Sequence, residues 1–155
     1  MESAKILIVY HSQTGNTEKM ARAAAEGVAT MDEAKAVLKK AAEADLPDLL
    51  SCQGLILATP EYFGYMAGAV KDFLDRTYEP ARGRREVFKK PYAVLISAGN
   101  DGQGALTAIE RIALGYPLKK VLAPVLAKGA ITEDVLRACR ELGQTIAAGC
   151  LAGIY

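Results

Sequence analysis

The chain has 155 residues, of which 51% are apolar and 24% charged. That size and balance describe a single globular domain that can bury a core without disulfides or a structural metal, and they exclude a disordered chain. Its 19 Lys and Arg against 18 Asp and Glu leave a formal net charge of +1. This excludes both the basic excess of a dedicated nucleic-acid binder and the strongly acidic surface of a carrier steered to basic partners.

Residues 5–10 (Lys-Ile-Leu-Ile-Val-Tyr) read as a strand buried on both faces. A helix follows from Asn16 or Thr17, with Met20, Ala21, Ala24 and Val28 on one face. Residues 31–44 look helical by composition, but alternation of strands and helices requires a second strand before Gly54. Residues 33–39 are therefore assigned as a short edge strand. Residues 54–59 form a third buried strand, and Met66, Val70, Phe73, Leu74 and Thr77 then recur at helical spacing.

Residues 76–90 are the most polar and basic stretch, a solvated loop or a landing patch for a phosphorylated or acidic partner, and residues 82–90 would attract the phosphorylated nucleotide of a redox reaction. Residues 92–97 form a fourth strand. The next helix uses Leu106, Ile109, Ile112, Ala113 and Tyr116, and Gly115 and Pro117 mark its end. Residues 119–127 contain Pro124, which suits an edge or bulged strand. Thr132 then caps a last helix that buries Val135, Leu136, Cys139, Leu142, Ile146 and Cys150. The tail, residues 146–155, packs on its own sheet or on a second subunit in a homodimer or larger homo-oligomer. The alternation implies a parallel sheet with helices on both faces.

Cys52, Cys139 and Cys150 make no C-x-x-C pair, and His11 is the only histidine, so no metal cage is expected. Reduced thiols, an opening apolar run too short for a signal segment, and the lack of any stretch of ~20 apolar residues point to a cytoplasmic protein without a membrane span.

Ligands of an open parallel sheet bind beyond the carboxyl ends of its strands. The loop after the first strand is His11-Ser12-Gln13-Thr14-Gly15-Asn16-Thr17. It offers hydroxyls, amides and a glycine before a helix N-terminus, which can hold a phosphate without a cation. Its lack of Lys excludes the phosphate loop of nucleotide hydrolases. The loop after the third strand, Thr59-Pro60-Glu61-Tyr62-Phe63-Gly64-Tyr65-Met66, supplies aromatic side chains as a wall for a flat ring. The loop after the fourth strand, Ser97-Ala98-Gly99-Asn100-Asp101-Gly102-Gln103-Gly104, has three glycines that expose backbone groups suited to a ring edge. A phosphate site, a wall and a polar edge together suggest a flavin mononucleotide (FMN).

The run Ser12-Gln13-Thr14-Gly15-Asn16-Thr17 resembles the S-x-T-G-N-T phosphate loop of flavodoxins. The stretch from Thr59-Pro60 through Phe63-Gly64, Met66-Ala67-Gly68, Lys71 and Phe73-Leu74-Asp75 to Thr77 is similar to the tryptophan-repressor-binding-protein type of NAD(P)H:quinone oxidoreductase. Pro60-Glu61-Tyr62 is also similar to NADPH-dependent FMN reductases. The resemblance implies a three-layer flavodoxin-like fold with a five-stranded parallel sheet in the order 2-1-3-4-5.

It also implies phosphate contacts from Ser12, Gln13, Thr14, Gly15, Asn16 and Thr17, and ribityl contacts from Thr59 and Pro60. Glu61, Tyr62, Phe63 and Gly64 would flank the isoalloxazine, and Ser97, Ala98, Gly99, Asn100, Asp101 and Gly102 would hold its pyrimidine end. The chain lacks the Trp that many flavodoxins stack on the ring, and Asn100-Asp101 stands where the quinone reductases often have His.

The expected function is reduction of a quinone or similar small acceptor by NAD(P)H, with no side chain assigned as a catalytic base. The alternative is a non-catalytic electron carrier. A receiver domain shares the sheet order but needs an acidic pair where His11-Ser12 stands and an acceptor Asp where Thr59-Pro60 stands.

Overall fold

The computed structural model describes residues 3–155; Met1 and Glu2, which open the apolar start of the chain, lie outside the described residues. Strands β1 (Ala4–Tyr10), β2 (Ala34–Lys40), β3 (Gly54–Tyr62) and β5 (Lys90–Ala98) pair in parallel in the spatial order β2-β1-β3-β5. The outer position beside β5 is shared by β6 (Leu118–Lys120) and β7 (Val125–Lys128), which together are the expected fifth strand. Pro124 lies in the break between them, where a residue without an N–H does least harm to the ladder. The short β4 (Tyr65–Met66) runs antiparallel to the end of β3.

The core follows from a two-residue period. Leu7 and Val9 of β1, Leu55 and Leu57 of β3, and Val94 and Ile96 of β5 point to one face. There they meet helices α2 (Leu46–Ser51), α3 (Gly68–Ala81) and α4 (Gln103–Gly115). Ile6, Ile8, Ile56, Ala58, Ala93 and Leu95 point to the other face, against α1 (Asn16–Ala29) and α5 (Glu133–Ala152). Each fully buried Leu or Ile contributes roughly 1.5–3 kcal/mol, so strands hydrophobic on both faces are stable only with both helix layers present. The three layers are those of the flavodoxin-like fold.

Several boundaries differ from the expectation. Residues 33–39 do form an edge strand, shifted by one residue to Ala34–Lys40. The third strand runs past Thr59 to Tyr62, and Met66 belongs to β4, so α3 begins only at Gly68. Helix α2 carries too few apolar residues to give a periodic signal; Asp45 and Asp48 fix its start by a reciprocal capping box, with Pro47 in the first turn. The tail folds back on its own helix, with the Tyr155 ring over Gly149. No helix of the described residues is long and apolar enough to cross a membrane.

The buried acids make alkaline stability predictable. Burial pushes the Tyr92 and Tyr116 phenols up from 10.0 to about 12, the Cys139 thiol up from 9.0 to about 12 and the Cys150 thiol up from 9.0 to about 11. A folded-state pKa above the unfolded one means stability that is complete below the unfolded value and lost as pH rises through the folded one. Lys90, lowered by burial, acts in the opposite sense, but it is one group against four. The melting temperature should therefore hold to about pH 9 and fall progressively toward pH 12. A melting temperature that rises across that window in a pH series would contradict this assignment.

Candidate cofactor site

The loops after β1, β3 and β5 meet at the carboxyl edge of the sheet. The register explains the shape of the site. Tyr10, the last residue of β1, lies opposite Ala58, whereas β3 continues to Tyr62. The end of β3 therefore rises above the sheet edge as one arm of a hairpin, and β4 is the other arm. Between this wall and α1 lies a cleft of about 290 Å³. Thr14 and Asn16 line it from the first loop, Pro60, Glu61 and Tyr62 from the hairpin, and Ser97, Ala98 and Gly99 from the third loop.

The first loop is closed by its own side chain: Ser12 Oγ accepts a hydrogen bond from the Gly15 N–H at 3.0 Å. Gly15 sits at φ +99°, in the left-handed region that favours glycine. Helix α1 then starts with no side chain capping its first turn. Asp45 caps α2 and Thr132 caps α5, while α3, which follows Ala67, also lacks a side-chain cap. The first turn of α1 therefore presents unsatisfied N–H groups beside Thr14 and Asn16, with the positive end of the helix dipole behind them. Thr17, 1% exposed, is turned inward, where its hydroxyl meets that of Ser97 at 2.8 Å. This contact fastens α1 to the end of β5 and sets the distance between the first and third loops.

The hairpin is equally constrained. Thr59 is fully buried; its hydroxyl donates to the Pro60 carbonyl at 2.8 Å and accepts from the Ala67 N–H at 2.9 Å. Glu61 accepts from the Ala105 N–H at 3.1 Å, which ties the hairpin to α4. Tyr62 packs edge-on against His11, with ring centroids 6.1 Å apart. The turn residues Phe63 and Gly64 have φ of +53° and +74°, the pattern of a type I′ turn. A bulky aromatic is an outlier there, and such strain concentrates at functional sites. The Phe63 side chain is fully exposed.

The donor set fits FMN. An uncapped helix end with hydroxyl and amide neighbours suits a phosphate, and a Cβ added at Gly15 or Gly99 would meet nothing within 4 Å, so the space beside both glycines is open. Tyr62 offers the aromatic wall, whereas Phe63 and Gly64, at the turn, do not line the cleft. Among the described residues no His/Cys/Asp/Glu group could hold a metal.

Residues 4–130 match the family model described as NADPH-dependent FMN reductase. The chain belongs to this flavodoxin-like FMN-binding family. It is 30% identical to a flavodoxin of Aquifex aeolicus (strain VF5), covering 92% of this chain and 85% of that protein. Two solved structures share the fold. One is a WrbA-like flavodoxin from Agrobacterium tumefaciens (TM-score 0.79, 21% identity, 97% of this chain and 99% of that chain). The other is the rubredoxin oxygen:oxidoreductase of Desulfovibrio gigas (TM-score 0.85, 20% identity, 99% of this chain). The chain corresponds to only 37% of the latter's length.

Not every family-derived position reaches the cleft. The Thr59 side chain is spent on the hairpin, leaving Pro60 as the neighbour of any bound chain at that point. Ser12 and Gly15 shape the loop, and the Gln13 side chain is exposed beyond it. Asn100 and Asp101 are exposed outside the cleft. Asp101 accepts from the Gln103 N–H at 3.0 Å, and Gly102, at φ +75°, turns the chain into α4. Gly129 and Ala130, after β7, line the cleft and were not anticipated. Their only sequence signal was a glycine at the end of the outer strand, seen in the structure at φ +79°.

The basic stretch does not serve this cleft. It joins the end of α3 to the start of β5, so it lies at the opposite edge of the sheet, roughly 25–30 Å away along β5. There Arg82 pairs with Glu79 at 3.8 Å and Arg84 with Glu86 at 3.1 Å. Its reading as a patch that attracts the reacting nucleotide is therefore corrected.

Gly104 holds the hairpin in place. A Cβ there would overlap the Gly64 carbonyl oxygen. Gly104→Ala should lift the hairpin from α4, loosen the Glu61–Ala105 contact and weaken FMN binding about tenfold, for roughly 1–2 kcal/mol of stability. Titration of the variant with FMN, beside a Thr107→Ala control, checks this; unchanged affinity would show that the wall is not part of the site.

Proposed function

We propose that the chain is an FMN oxidoreductase that accepts hydride from NAD(P)H and passes electrons to a quinone or similar planar acceptor. Bound FMN supplies the redox chemistry. The protein's own part is to bind and orient. The uncapped first turn of α1, with Thr14 and Asn16, would take the phosphate. Pro60 would lie along the ribityl chain, Tyr62 beside the ring, and Ser97, Ala98 and Gly99 at its polar edge. No side chain need act as an acid or base, because the acceptor's protons can come from water at an open site.

The observation that carries this reading is Phe63, fully exposed on a strained turn next to Tyr62, which lines the cleft. An aromatic held out in water there leaves room for a second planar molecule. The net charge of +1 also supports an enzyme over a carrier steered by an acidic surface. The second reading, an electron carrier, draws on the relative named as a flavodoxin. The test is to load the protein with FMN and add NADH or NADPH without oxygen. Bleaching of the flavin bands, restored by a quinone, supports the enzyme. Bound flavin that neither donor bleaches favours the carrier.

A further inference from the structure

A second cavity, of about 400 Å³, lies where β3 and β5 begin, at the opposite edge of the sheet from the cofactor cleft. Cys52, Lys90 and Cys150 line it, together with Phe88 and Tyr155. Lys90 is the first residue of β5 and only 5% exposed. Its side-chain nitrogen donates to the Leu49 carbonyl of α2 and lies 3.6 Å from the Cys52 sulfur. The Cys52 thiol, 4% exposed, donates to the same carbonyl at 3.4 Å. No carboxylate is paired with Lys90 among the described residues, and Glu86, at the same cavity, pairs with Arg84 at 3.1 Å. An amine buried without a carboxylate is costly, and an apolar side chain would fill the place at less cost. Nothing in the cofactor site uses these groups.

From this geometry we propose that Cys52 and Lys90 are a peroxide-responsive pair that closes into a covalent sulfur–nitrogen link, tying the end of α2 to the start of β5. The oxidant is hydrogen peroxide, which the cavity brings to the sulfur. In the first step the Cys52 proton passes to the Lys90 amine, the thiolate attacks one peroxide oxygen and the O–O bond breaks. The departing hydroxide takes the proton back from Lys90 and leaves as water, so the products are a sulfenic acid and a neutral amine. In the second step the Lys90 Nζ lone pair attacks the sulfenyl sulfur and the S–O bond breaks. Hydroxide leaves as water with one amine proton. One thiol, one amine and one peroxide thus give one S–N bond and two waters. The sulfur loses two electrons and the peroxide gains them.

The surroundings favour this outcome over the alternatives. Burial lifts the Cys52 thiol and lowers Lys90, so the resting pair is held toward thiol and amine, and the amine keeps the lone pair that the second step needs. Cys150 is the competing nucleophile. It lines the same cavity, but its sulfur contacts the Gln53 carbonyl, at 3.6 Å, and not Cys52. Lys90 is therefore the group in place when the sulfenic acid forms. Capture by the amine also keeps Cys52 from the irreversible sulfinic step, and an added thiol restores it by attack on the sulfur, which releases the amine.

The experiment reads the link itself and does not depend on the hydride-donor reading. FMN-loaded wild type, Lys90→Met and Cys150→Ser are treated with hydrogen peroxide, quenched with catalase, digested without reductant and analysed by mass spectrometry. Wild type and Cys150→Ser should each yield a linked peptide pair joining Cys52 to Lys90, lighter than the separate peptides by two hydrogens, and added thiol should release it. Lys90→Met should lose the link and instead show Cys52 captured by dimedone, several-fold more than in wild type. A Cys52–Cys150 disulfide as the main product in wild type, or Cys52 recovered unlinked, overturns the proposal. Wild type alone yields the decisive peptide, so the test holds even where Lys90→Met fails to fold.

Discussion

Replacing Asn16 by aspartate will weaken FMN binding about a hundredfold while leaving the apoprotein as stable as before or slightly more so. The side chains are nearly isosteric, so packing does not change. Asn16 is the first residue of α1 and lines the cleft. A carboxylate there favours the positive end of the helix dipole by about 0.3–1 kcal/mol. Facing a phosphate at ~5 Å it meets like charge, which costs roughly 3 kcal/mol per unit charge at an effective dielectric of about 20. That is about a factor of one hundred in affinity. Riboflavin, which lacks the phosphate, should bind wild type and Asn16→Asp alike. Fluorescence titrations with both flavins and a melt of each apoprotein decide the matter. An Asn16→Asp variant that keeps wild-type FMN affinity would place the phosphate elsewhere.

The second large effect is on stability. Helices α1 and α5 pack backbone to backbone, because each supplies a glycine at the contact. A Cβ on Gly143 would overlap the Ala24 carbonyl oxygen, and a Cβ on Gly27 would overlap that of Arg140. In an exposed helix Gly→Ala gains about 1 kcal/mol. Here neither backbone can yield without separating the helices, so overpacking wins. Gly143→Ala should cost about 3 kcal/mol and lower the melting temperature by roughly 6–12 °C. Gly27→Ala should cost a similar amount. The double variant should lose clearly less than the sum, since one displacement relieves both overlaps. A higher melting temperature for Gly143→Ala would disprove the close approach. Because α1 carries Asn16, the same shift should also loosen FMN.

What the sequence revealed followed the strength of each physical signal. Strands β1, β3 and β5 were legible because burial on both faces leaves unbroken apolar runs. The turn from β1 into α1 was legible because Gly15 and its hydroxyl and amide neighbours are the residue types a tight turn before a helix needs. Strand β2 reads Ala-Lys-Ala-Val-Leu-Lys-Lys, a helical composition, and only the need for a crossover partner revealed it. The hairpin was taken for a loop because nothing in local preference announces a phenylalanine at positive φ. The sidedness of Thr59 and the place of Asp101 depend on hydrogen bonds to Ala67 and Gln103, which no periodicity encodes. The charge of residues 82–90 was plain, but its edge of the sheet followed only from topology.

The broken outer strand bears on how this molecule can associate with copies of itself. Beside β5 the ladder consists of two short pieces, and lysines stand at Lys119, Lys120 and Lys128. At the other margin β2 carries Lys35, Lys39 and Lys40. A neighbouring chain therefore finds no long, flat, uncharged row of backbone groups to extend as an added strand. Self-association by sheet continuation, the route to fibrous aggregates, is blocked at both margins. Any ordered assembly must instead be built from side-chain surfaces on the helical layers or the hairpin.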